Sequence, residues 1–244
     1  MQNQIERNLL ALNQKINNAC KTYERKLSDI NLVAVSKTVT TENILAAIKS
    51  GCKIFGENYV KEAQEKWPAI KQNHPQIKLH LIGHLQSNKA SEAVALFDCI
   101  ESLDSEKLAK ELQKEIVKVN QGQNEKNLRN NDKISNQNAI ILSKIPKIFI
   151  QINIGEEQQK SGIAPHAAHD FINFARNECK LNVIGLMCVP PTNEEPSSYF
   201  ALLAKIAKEN NLKKLSMGMS ADFPEAIALG ATHIRVGTAI FGER

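Results

Sequence analysis

The chain has 244 residues, a formal net charge of +5 and 42% hydrophobic residues. That length suits one large α/β domain or two small ones, and no apolar run is long enough to span a bilayer. The charge is mild and its lysines are spread among glutamates, so no dense basic run argues for nucleic acid as a partner.

The first seven residues are polar and lack the apolar stretch of a signal peptide. Five scattered cysteines, Cys20, Cys52, Cys99, Cys179 and Cys188, form no C-x-x-C pair, and reduced thiols in a cytoplasmic protein are the expectation. Ile5, Leu9, Leu12, Ile16, Ala19, Tyr23 and Leu27 recur at three- and four-residue steps, one stripe of a long leading helix. Leu32-Val33-Ala34-Val35 then reads as a strand buried on both faces, and it delivers Ser36 and Lys37 to a strand-to-helix loop. Ile44, Leu45 and Ile48 mark a helix that Gly51 ends. A second strand spans 53–58, and a helix follows from 59 to 70, with Pro68 ending or distorting its last turn.

A third strand at 78–83, a helix at 86–96 and a fourth strand at 97–101 follow. Asp104 looks like the N-cap of a helix carrying Leu108, Leu112, Ile116 and Val119. Residues 120–138, nearly all Asn, Gln, Lys, Gly and Glu, offer little to bury and predict a mobile surface insertion. Strands then recur at 147–154, 181–189, 213–216 and 232–236. Helices opened by Pro165 and Pro196, and a third from 220 to 229 stopped by Gly230, separate them. Eight strands alternating with helices predict a single (β/α)8 TIM-type barrel over residues 1–244, with no second β domain. The long N-terminal helix has a place there, covering the junction of strands one and eight. An open doubly wound sheet is the alternative and offers that helix no such place.

Chemistry concentrates at the strand ends. A partly desolvated amine at Lys37 can form a Schiff base with an aldehyde; the plain alternative is a lysine reaching out to water. Ser216-Met217-Gly218-Met219-Ser220 joins strand seven to a helix, and its glycine lets backbone N–H groups approach an anion. Arg235-Val236-Gly237-Thr238 leaves strand eight with a cation, a glycine and a hydroxyl. Phosphate sites in these barrels sit on the loops after strands seven and eight. Strand one neighbours strand eight, so a lysine beside a phosphate site points to a phosphorylated aldehyde. Pyridoxal 5′-phosphate and some phosphosugars fit. Arg235 facing a pyridine nitrogen keeps that nitrogen unprotonated and weakens the ring as an electron sink; Arg235 on the phosphate, or in a structural salt bridge, is the alternative. His80 and His84 lie four apart, with no third metal ligand in view. Glu57, Lys89 and Lys160 rank below Lys37: a strand-end carboxylate is usually paired, and loop lysines are usually solvated.

The chain resembles the YggS/PROSC family of pyridoxal phosphate homeostasis proteins. The resemblance rests on Ala34-Val35-Ser36-Lys37-Thr38, Phe55-Gly56-Glu57-Asn58-Tyr59, Ile82-Gly83-His84-Leu85-Gln86-Ser87-Asn88-Lys89, Lys160-Ser161-Gly162, Leu215-Ser216-Met217-Gly218-Met219-Ser220 and Arg235-Val236-Gly237-Thr238-Ala239-Ile240-Phe241-Gly242. It covers nearly the whole chain outside the Asn-rich insertion. Leu79 stands where family members usually carry tryptophan. The resemblance implies an alanine-racemase-like barrel, a Schiff base at Lys37, phosphate contacts from Ser216, Gly237 and Thr238, and Arg235 and Asn58 close to the cofactor. It implies a holder of pyridoxal 5′-phosphate without established catalytic activity that acts in its supply and buffering; the chain is expected to be a cytoplasmic monomer, with apo pyridoxal phosphate enzymes as candidate acceptors. The competing reading is an amino-acid racemase. In alanine racemases the second acid/base is a tyrosine from a β-rich domain, and here only Tyr59 follows a strand end.

Overall fold

The structure, a computed structural model, describes residues 4–129 and 145–243. Its strands are β1 (Asn31–Val35), β2 (Ile54–Glu57), β3 (Lys78–Leu81), β4 (Cys99–Leu103), β5 (Lys147–Gln151), β6 (Val183–Met187), β7 (Lys214–Ser216) and β8 (His233–Val236). They pair in sequence order and close into a barrel, and β1 meets β8 in parallel through Asn31↔His233 to Ala34↔Val236. The expected single barrel is what forms. Each strand is short and apolar on its outer face because helices cover it.

Those helices are α1 (Gln4–Thr22), α2 (Thr41–Lys49), α3 (Val60–Asn73), α4 (Ala90–Leu96), α5 (Glu106–Arg129), α6 (Ala168–Asn173), α7 (Ser197–Glu209), α8 (Phe223–Ala228) and α9 (Thr238–Phe241). Helix α1 packs on α2, α8 and α9, so it covers the β1–β8 junction, where only the short α9 follows β8. Its buried stripe is Ile5, Leu9, Leu12, Ile16, Ala19 and Cys20. Tyr23 and Leu27, assigned to the same stripe from the sequence, lie past the helix end and are 44% and 52% exposed. Pro68 does not end α3. It sits on the exposed face, where the carbonyl its ring leaves unbonded is open to water, while Trp67 and Ile70 hold the helix down. The Trp67 ring meets Phe55 of β2 at 5.2 Å and 53°, fixing α3 against the barrel wall.

The cap of α5 is Ser105 rather than Asp104: its hydroxyl accepts the Leu108 N–H at 3.4 Å, while Asp104 pairs with His84 at 2.8 Å. Helix α5 continues to Arg129, into the segment expected as a mobile insertion. Gln, Glu, Lys and Arg are good helix formers, and a packed first half propagates helix through them at little cost. The rest of that 120–138 segment lies outside the described residues.

Two interiors result. A large apolar layer fills the space between strands and helices. The lumen holds a small apolar group, Cys99, Phe149 and Met187, beside buried polar residues, among them His80, Glu101, Ser216, His233 and Arg235. All five cysteines are buried.

Candidate functional site

Lys37 leaves the C-terminal end of β1 between two tethered neighbours. Buried Ser36 donates to Glu57 Oε1 at 2.8 Å, and its carbonyl accepts Lys66 Nζ at 2.9 Å. The Thr38 N–H donates to Glu62 Oε1 at 2.5 Å. Lys66 ties both carboxylates together, at 2.8 Å to Glu57 and 2.9 Å to Glu62. Ser36 faces α3 through these bonds, and half-buried Lys37 stands in the turn just beyond the end of β1. Thr38 has φ +58, a left-handed conformation that costs a β-branched residue about 1–3 kcal/mol and persists only where its surroundings enforce it. Glu57 is therefore a clamp. It is fully buried, and Oε1 also takes the Trp67 indole N–H at 3.0 Å.

The loops after β7 and β8 form one surface. Gly218 has φ +89, and a Cβ there would lie 2.5 Å from Ala226 Cβ. Its carbonyl accepts the Arg235 N–H at 2.9 Å, and the Ser220 and Thr238 hydroxyls meet at 3.3 Å. Gly237 precedes α9 and its carbonyl accepts the Ile240 and Phe241 N–H groups at 2.9 and 3.0 Å, so the Thr238 and Ala239 N–H groups are the ones without a partner within the helix. Thr238 is exposed, while the Met217 side chain is fully buried, so Met217 can offer only backbone. Because Ala34 pairs with Val236, Lys37 and Gly237-Thr238 leave adjacent strands at the same end.

The other expected residues, Ser216, Arg235 and Asn58, have their own surroundings. Ser216 is fully buried, and its hydroxyl belongs to a polar column in the lumen. It donates to Glu101 Oε2 at 2.5 Å and accepts from Arg235 Nη1 at 2.6 Å; Arg235 Nη2 donates to the Cys188 carbonyl at 2.8 Å. Below, the His80 Nδ1–H donates to Glu101 Oε1 at 2.6 Å. Burial alone would raise the Glu101 carboxyl, but the His80 hydrogen bond and the charges of His80, Arg235 and His233 outweigh it and hold it at about 2. Burial pushes His233 down to about 4, against the pull of Glu101. Asn58 is half-buried, packed so tightly against Gly83 that a Cβ on Gly83 would lie 2.3 Å from its carbonyl oxygen. It lines a hollow of ≈ 360 Å³ with Tyr59, His84, Gln86 and Lys89.

Sequence reasoning missed the column. His84 parts from His80 and sits 57% exposed on the rim. Cys99 and Glu101 of β4 join His80 instead, with one ligand atom from each of the three within 4.8 Å of the others. Both oxygens of Glu101 already accept hydrogen bonds there. Lys89 pairs with Glu92 at 2.9 Å; Lys160 pairs with Glu157 and donates to the Pro190 carbonyl at 3.2 Å.

A family model described as alanine racemase, N-terminal domain, matches residues 8–244. A Haemophilus influenzae protein named pyridoxal phosphate homeostasis protein is 35% identical, over 98% of this chain and 96% of that one. A human protein of the same name is 33% identical, over 97% and 85%. Among solved structures, PipY of Synechococcus elongatus with pyridoxal phosphate bound has a TM-score of 0.74 at 31% identity, covering 98% of this chain and all (100%) of that one. Alanine racemase from E. faecalis shares the fold at TM-score 0.60 and 15% identity, and this chain covers 58% of it.

Proposed function

The chain belongs to the alanine racemase N-terminal domain family, with the pyridoxal phosphate homeostasis proteins, and from that premise we propose that it holds pyridoxal 5′-phosphate as a Schiff base on Lys37. In this reading it supplies and buffers the cofactor in the cytoplasm as a monomer, delivers it to apo pyridoxal phosphate enzymes, and catalyses no turnover of its own. The observation that carries the reading is the β1–β8 pairing, which sets Lys37 beside the glycine loops after β7 and β8.

The cofactor's phosphate is received by the backbone of Met217, Gly218, Gly237 and Thr238 and by the Thr238 hydroxyl. Ser216 acts from beneath, through its bond to Arg235. Asn58 borders the ring side. Bound pyridoxal phosphate supplies an aldehyde carbon and an electron-withdrawing ring. Arg235, with two of its N–H groups fixed by Ser216 and Cys188, keeps a permanent positive charge beneath that ring. A fixed cation disfavours a protonated pyridine nitrogen, which suits a holder better than a racemase.

Borohydride reduction of the purified yellow protein, followed by peptide mass spectrometry, tests this reading. The adduct is expected on Lys37, and Lys37→Ala protein is expected to be colourless. An adduct on another lysine, or none, overturns the assignment. Rapid α-proton exchange of alanine in deuterated water, lost in Lys37→Ala, would replace the holder with an enzyme.

A further inference from the structure

The opposite end of the barrel is hollow. A cavity of ≈ 400 Å³ opens at the N-terminal mouth, within the size range of about 300–1,000 Å³ typical of small-molecule sites. Lys78, Lys147 and Lys214 line it, each the first residue of its strand, on β3, β5 and β7. Alternate strands of such a barrel send side chains into one layer, and the three lysines line this one cavity. The register agrees. Lys147 pairs with Cys99 of the lumen, and Lys78 precedes lumen-facing His80 by two residues, on the same face.

Among the described residues one carboxylate lines this mouth, Asp98, and it is engaged by Lys71 at 2.6 Å and faces Lys78 at 3.5 Å. Among the described residues, Lys147 and Lys214 have no ion-pair partner. The inner wall carries two imidazoles, His80 and His233, 6% and 7% exposed, with ring centroids 6.0 Å apart. Like charges gathered around a concave, partly dehydrated space focus a positive potential that a small anion relieves. The same field argues against a metal cation entering to reach His80, Cys99 and Glu101.

We propose that the N-terminal mouth is a second ligand site, separate from Lys37, that binds a small phosphoryl anion between Lys78, Lys147 and Lys214 with the imidazoles of His80 and His233 behind it. A dianion or larger charge is the match for three lysines set against one carboxylate. Inorganic pyrophosphate and a phosphate monoester share that chemistry.

The test titrates pyrophosphate, and separately glycerol 3-phosphate, calorimetrically into protein loaded with pyridoxal phosphate and then freed of unbound cofactor. Binding is expected to weaken at least tenfold in Lys147→Gln/Lys214→Gln. It is expected to be unchanged in Lys89→Gln, an exposed rim lysine. Whichever probe binds more tightly identifies the source. Lys147 and Lys214 are exposed, so the double variant keeps the fold, which circular dichroism verifies.

A second readout locates the anion. Glu101, His80, Lys214 and Arg235 are the charged and titratable groups acting on His233, and a dianion added beside it favours the imidazolium. The NMR titration midpoint of His233 is expected to rise by about one unit or more when pyrophosphate is present. Equal affinity in the double variant, an unmoved His233 midpoint, or equal competition by chloride at matched ionic strength would each overturn the site.

Discussion

At the C-terminal rim, the groups of the proposed cofactor site belong to loops: the Gly218 turn, the Gly237–Thr238 entry to α9, and Lys37 braced by α3. At the N-terminal mouth they belong to strand starts, Lys78, Lys147 and Lys214. Loops can bend backbone N–H groups toward an anion, and glycines let it come close. A strand start has its backbone committed to the ladder and can offer only side chains. The two proposed sites therefore differ in kind, one built on shape and the other on charge. The mouth should feel salt far more, because exposed charges are screened over about 10 Å at 0.1 M ionic strength.

Lys37→Ala gives the largest separation of the two ends. Reducible cofactor is expected to fall to background, while the rise in the His233 midpoint caused by pyrophosphate at the mouth stays as in the parent. Glu101→Leu attacks what the ends share. It leaves Arg235 and His80 without their carboxylate inside the lumen, a loss of about 3–5 kcal/mol in urea unfolding. Cofactor affinity should fall with it because Ser216 loses its acceptor. A variant as stable as the parent would show the column to be incidental.

Acid probes the same column with a definite sign. The folded value of His233 is depressed from 6.5 to about 4, so the unfolded chain takes up that proton first as pH falls. Stability is expected to decline from about pH 6.5 to 4, by on the order of 3 kcal/mol. Glu101, depressed from 4.5 to about 2, adds a further decline across that lower window. His233→Phe should flatten the upper part of the profile, and urea midpoints at successive pH values measure it. The smallest effect is expected from Gly218→Ala, about 1–3 kcal/mol from a positive φ and a close contact with Ala226. It should weaken cofactor binding while leaving the mouth alone; equal loss at both ends would mean that the turn supports the whole barrel.

The barrel itself was legible because apolar strand runs and helical stripes alternate along the chain, and Gly51 and Gly230 do stand past helix ends at φ +97 and +100. Lys37 and the two glycine loops were legible because each carries its chemistry in adjacent residues. The column was not. Strands covered on both faces lose the alternation that tells lumen from shell, so nothing marked Glu101 as facing Ser216, 115 positions away. The mouth was hidden for a related reason. Lys78, Lys147 and Lys214 each read as an ordinary polar residue opening a strand, and only closure brings them together. Caps and stripe ends failed locally: Ser105 and Asp104 are both good caps by type, and the partner His84 decides between them.

The burial of all five cysteines has a chemical consequence for a chain that handles an aldehyde. Burial pushes Cys52 and Cys188 up to about 12 and lifts Cys99 well above the usual thiol value, while Cys20 and Cys179 are also raised. Thiolates are the softer and faster nucleophiles, and here they are withheld, so amines alone compete for the carbonyl carbon. Oxidants and alkylating agents meet the same barrier. Iodoacetamide uptake by the native protein would thus record how often the barrel opens, a built-in clock for its unfolding.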